Sequence, residues 1–110
     1  MKNTAFTTSP ILTEGEAEAL KAVMKAEEVN LPVRFTSHGA NFMLRNLSIN
    51  DTYTLIGCIA VHLMQLEEEL EDNRHFETEG MLNTLIMVKS KLTRLVNETA
   101  EQNTQRHDMN

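Results

Sequence analysis

One cysteine, Cys58, stands alone in 110 residues, so no disulfide can form within the chain. That usage suits a reducing compartment. Tryptophan is absent and aromatic residues make up only 5%. A core must then be filled by Leu, Ile, Val and Met, which suits helix packing better than a β-sandwich. The four glycines are scattered, and none belongs to a phosphate-cradling loop. Zinc-ligand pairs and Ser/His/Asp patterns are missing as well. Long hydrophobic runs are also lacking. The most apolar stretch, Leu55 to Met64, is interrupted by His62 and falls well short of the roughly twenty residues a membrane span requires. The first ten residues hold one Lys and no apolar run, so no secretory signal is expected. Positive charge is in deficit, with a formal net charge of -6. This disfavours direct contact with nucleic acid or an acidic membrane. The expected location is the cytoplasm.

What is present is helical patterning. Residues 1–12 read as a flexible N-terminal arm, with Ile11 and Leu12 able to pack down as a staple. Thr13 offers a helix cap, and Glu16 three residues later completes a capping box. Ala17, Leu20, Val23 and Met24 then form one apolar stripe. Asn30 and Pro32 are expected to end this helix, because proline pushes Leu31 out of the helical region.

Residues 33–44 have two readings. Val33 and Phe35 alternate with Arg34 and Thr36, which allows a small β-ribbon turning at Ser37 to Gly39. The other reading is a loop followed by a short helical turn. Gly39 and Asn41 punctuate the segment and favour the loop or short ribbon. Arg34, Phe35 and Phe42 are its contact candidates, with a lid over the helices as the plainer role.

From Ile49 to Thr99 the periodicity predicts two long amphipathic helices. A stripe of Thr52, Leu55, Ile56, Ile59, His62, Leu63, Leu66 and Leu70 falls on one face of the first. Ser48 or Asn50 can cap it. Residues 73–79 read as the corner, anchored by Phe76. Met81, Leu82, Leu85, Val88, Leu92, Leu95, Val96 and Thr99 line the next helix. A short corner makes the pair antiparallel and sets a register of Leu66 with Leu85, Leu63 with Val88, Ile59 with Leu92 and Leu55 with Val96. Fusion into one long helix is the alternative, opposed by the missing apolar stripe across the corner. The back of the first long helix is apolar early (Tyr53, Gly57, Cys58, Ala60, Val61, Met64) and acidic late. Its first half is therefore expected inside a bundle. The fold class that follows is all-α: an N-terminal amphipathic helix plus a long antiparallel hairpin, with the bundle completed by dimerisation. Residues 13–99 form a single helical domain, and residues 100–110 a flexible tail.

Candidate chemistry is sparse. Glu71, His75 and Glu79 are spaced four apart, but they fall in the corner on a solvated face, so no metal and no cofactor is expected. His62 reads as a core or boundary histidine, with a pH-sensitive interface as the sharper alternative. Cys58 reads as a buried structural thiol. An enzyme is not expected. The acidic corner remains: residues 67–79 hold seven acids and one Arg, a net charge equal to that of the whole chain.

These features point to a small acidic protein-interaction module acting as adaptor, regulator or assembly chaperone, with a homodimer expected. Glu67, Glu68, Glu69, Glu71 and Asp72 are the acidic partner-binding candidates. Val61, Met64, Ile86 and Met87, which lie off the hairpin seam, are the apolar ones. The alternative is an inhibitor whose acidic tip occupies a nucleic-acid-binding surface of another protein, a role that suits a phage or bacterial setting.

Overall fold

The computed structural model describes residues 9–108, with side chains described through Thr99. The elements in order are β1 (Ile11–Leu12), α1 (Glu14–Ala26), β2 (Arg34–His38), β3 (Asn41–Arg45), α2 (Ile49–Asp72) and α3 (Phe76–Asp108). The expected all-α class is wrong. Three helices are joined by a three-stranded antiparallel sheet of order β1-β3-β2. β2 and β3 are the ribbon that the alternation at 33–44 allowed. The strand missed altogether is β1, where Ile11 pairs with Met43 and Leu12 with Phe42. Two residues are too few to show a period of two, so no local pattern announces it.

Each element has a local cause. Thr13 and Glu16 form the full capping box, with Glu16 N donating to Thr13 Oγ1 at 3.2 Å and Thr13 N donating to Glu16 Oε1 at 2.8 Å. α1 ends at Ala26, before the Asn30 and Pro32 expected to stop it. There Glu28 enters the left-handed region (φ 54°) and Val29 N donates back to Met24 O at 2.9 Å, closing the last turn. The β2–β3 connection is Gly39 and Ala40, one step later than expected, with Gly39 at φ +63° where a Cβ would be strained. Ser48 caps α2 through Oγ, which accepts from Asp51 N at 3.1 Å.

α2 and α3 pack against each other as the hairpin. All eight residues assigned to the seam are buried, Leu55, Ile59, Leu63 and Leu66 on α2 with Leu85, Val88, Leu92 and Val96 on α3. The corner is tighter than expected, residues 73–75 only, and α3 begins at Phe76 itself. Phe76 does not anchor the turn: it is 88% exposed. α3 runs on as helix through Asp108, past the end of the apolar stripe at Thr99.

The hairpin does not need a second copy to cover its seam. α1 supplies Ala17, Ala19, Leu20 and Val23, and the sheet supplies Leu12 and Leu44, all buried in one cluster with the seam residues. The off-seam residues from which a dimer was expected, Val61, Met64, Ile86 and Met87, all stay exposed. The expectation that the first half of α2 is enclosed on every side fails. Tyr53, Gly57, Val61 and Met64 stay exposed on its outer face. Among the described residues no helix is long and apolar enough to cross a membrane.

Candidate functional site

The acidic candidates lie together at the hairpin tip. Glu67, Glu68, Glu69, Glu71 and Asp72 are all exposed in the last turns of α2. This is the negative end of the helix dipole, and no basic residue occupies the last turn. Asn73 closes the helix, its N–H donating to Glu69 O at 2.9 Å. An ion pair joins Arg74 to Glu79, leaving the five α2 acids unpaired by it. His75 meets Asn73 side chain to side chain at 3.0 Å. Among the described residues, no group of three or more His, Cys, Asp or Glu side chains is gathered to hold a metal ion.

The four apolar candidates are all exposed, but they do not form one patch. Val61 and Met64 lie on the outer face of α2, with Tyr53 and Gly57 above them at helical spacing. Ile86 borders a groove with Leu63, Lys89 and Thr93, while Met87 borders another with Ile11, Lys91 and Leu95. Neighbouring helix positions are turned by about 100°, which sends these two side chains to different sides of α3. The stripe that survives as a surface is Tyr53, Gly57, Val61 and Met64, the last 64% exposed. A Cβ added at Gly57 would meet no atom within 4 Å. Gly15 and Gly80 have the same freedom, but neither is flanked by such a stripe on α2. Glycine within a helix costs about 1 kcal/mol relative to alanine, and nothing in the chain's own packing requires it at 57.

The three ribbon candidates divide. Phe35 and Phe42 are half-buried and pack against the core cluster, which makes this part of the sheet a lid. Lys21 of α1 places its ammonium 5.0 Å from the Phe35 ring centroid and 5.5 Å from that of Phe42. Arg34 lies on the other face, exposed, directly opposite Arg45.

Sequence reasoning missed one polar site. Glu16 Oε1, besides capping α1, accepts from Lys91 Nζ at 2.6 Å, and Lys91 Nζ also donates to Ile11 O at 3.2 Å. Seventy-five residues separate the two charges in sequence, and no local pattern joins them. Burial alone would raise the Glu16 pKa. The hydrogen bonds from Lys91 and Thr13 and the Lys91 charge outweigh it and hold the carboxyl below its ordinary value.

Cys58 is half-buried and unpaired in a disulfide. Burial, with the nearby Glu27 charge, pushes its thiol up, which fits a packing role rather than a nucleophile. His62 is half-buried on α2, and its Nδ1 has no hydrogen-bond partner among the described residues.

No protein-family model matches the sequence, and no curated protein and no solved structure is significantly similar to it.

Proposed function

We propose that this chain is a cytoplasmic, non-enzymatic protein-interaction module that docks through the outer face of α2. The observation that carries the reading is the stripe of Tyr53, Gly57, Val61 and Met64, exposed along a helix whose opposite face is core. A stripe of this kind, with a glycine at its centre, accepts another helix at close range. A second copy of the chain is the first partner to test. Sedimentation velocity across a concentration series should show a dimer, and Met64→Lys should return it to monomer with little change in stability, since Met64 is exposed. Gly57→Ala separates the two effects. It should stabilise the isolated fold by about 0.5–1 kcal/mol while weakening the association. A wild-type monomer at every concentration, with no protein captured from the native cell by the stripe, sinks the reading.

A second reading is favoured by the tip. Like charges crowd the negative end of α2 with no basic residue in its last turn, an arrangement that opposes helix stability. Carboxylates held there against local stability suit an inhibitor that occupies a nucleic-acid-binding surface. Replacing Glu67, Glu68, Glu69 and Glu71 by Gln should therefore move stability and binding in opposite directions. Urea unfolding should show equal or higher stability, and capture of a basic protein partner should be lost. Retained capture would reduce the tip to a solubilising end of the hairpin.

A further inference from the structure

We infer that the open edge of β2 is a docking site for an extended acidic segment of another protein, with Arg34 as the residue that receives its carboxylate. The inference is independent of the α2 stripe and of the acidic tip, and concerns the opposite sign of charge.

β2 is an edge strand in the order β1-β3-β2, and among the described residues it pairs only with β3. An edge strand presents a row of main-chain donors and acceptors to any strand that can lie beside it. Side chains on the sheet alternate. Phe35, Phe42, Leu44 and Leu12 face the core, so Arg34, Thr36, His38, Met43, Arg45 and Ile11 face outward. Arg34 stands directly across from Arg45. Like charges facing each other across two strands destabilise the pair. Neither guanidinium has an ion-pair partner among the described residues. A chain of net charge -6 thus holds two uncompensated cations side by side on one exposed face.

An acidic strand added along β2 resolves this arrangement. Its alternate side chains would lie beside Arg34, Thr36 and His38 on the outward face. A carboxylate beside Arg34 can be held by two parallel N–H bonds, the geometry guanidinium favours. Arg45 lies one strand further away and adds to the field. Main-chain pairing supplies the affinity and the arginines choose the sign of the partner.

The test uses the full chain, isotope-labelled, and a capped peptide that alternates Thr and Glu. Titration should shift the amide resonances of residues 34–38 and slow their hydrogen exchange. Arg34→Gln should weaken binding about two- to fivefold, the value of one exposed ion pair, with the fold unchanged because the side chain is exposed. Arg45→Gln should weaken it less. A Glu/Thr peptide carrying N-methyl groups at alternate amides keeps the charge but cannot pair as a strand, and should not bind. Equal binding of the N-methylated peptide, or of a Gln/Thr peptide, overturns the inference. So does an absence of shifts at 34–38, or a short single-stranded DNA that shifts these resonances more strongly than the acidic peptide.

Discussion

Leu92→Ala is expected to lower the unfolding free energy by about 2–5 kcal/mol, read from urea unfolding followed by circular dichroism. Leu92 has no exposed surface and sits mid-way along α3, in one cluster with residues of α1, α2 and the sheet. Removing its outer carbons loses their transfer free energy and leaves a cavity, because helices on two sides fix the walls. A domain of this length holds only about 5–15 kcal/mol in total, so the variant should lose between about an eighth of its stability and all of it. Leu92→Met keeps the volume and should cost under about 1.5 kcal/mol. Met64→Ala, on the exposed face of α2, should change stability by about 0.5 kcal/mol or less. If Leu92→Ala and Met64→Ala proved equal, the packing of α3 into the core would be wrong.

The contrast between Leu92 and Met64 also shows what the sequence made legible. Helical periodicity located the seam of α2 and α3, because eight residues recur at a spacing that only one face of a helix satisfies. The capping box at Thr13 and Glu16 was readable for the same reason: its rule is local. β1 was not readable. Ile11 and Leu12 are a strand only because β3 lies beside them, and β3 lies thirty residues further on in the chain. The consequence spread from there. With no third strand foreseen, the chain was assigned to the all-α class, although the ribbon itself was allowed and read as a lid over the helices.

Among the candidate site residues, exposure was legible and grouping was not. The acids of the tip were placed correctly on a solvated end because charge has a direct relation to water. Val61, Met64, Ile86 and Met87 were each correctly read as off the seam, yet they point three ways, since grouping depends on helix rotation and on what packs nearby. Phe35 and Phe42 were read with Arg34 as one contact surface. The pleat puts the two rings under Lys21 and the guanidinium on the opposite face. The Arg34–Arg45 opposition appears only once the register of the ribbon is known.

The second large effect belongs to the Glu16–Lys91 ion pair, whose carboxylate is buried. Lys91→Met should destabilise the chain by about 1–3 kcal/mol. The full penalty for breaking a buried pair is about 3–5 kcal/mol, but the Lys91 side chain is 35% exposed, so solvent screening reduces it. Glu16 is the buried partner at 8% exposure, and removing the ammonium leaves its carboxylate with Thr13 N as its remaining short donor. Glu16→Gln should cost less. The amide oxygen still accepts from Thr13 N, and the half-exposed ammonium can turn to water. This ordering, worse for loss of the exposed partner than of the buried one, follows from which charge is stranded. The pH dependence has a definite sign. Because the folded-state pKa of Glu16 lies below its ordinary value of 4.5, the folded chain binds the proton less readily than the unfolded chain. The stabilisation is fully present above that ordinary value and is lost as pH falls through the lower folded one. Urea unfolding below pH 4.5 should therefore narrow the gap between the wild type and Glu16→Gln. A gap that stayed constant there would mean that the charge of Glu16 contributes nothing to the fold. Amide exchange locates the damage, because Lys91 also holds β1 through Ile11 O. In Lys91→Met the Leu44 N–H, which donates to Pro10 O at 3.0 Å, should lose protection, while Leu85 in the hairpin seam keeps it. Loss at both sites would mean that the pair supports the whole fold; loss at Leu44 alone means that it fastens the sheet to the hairpin.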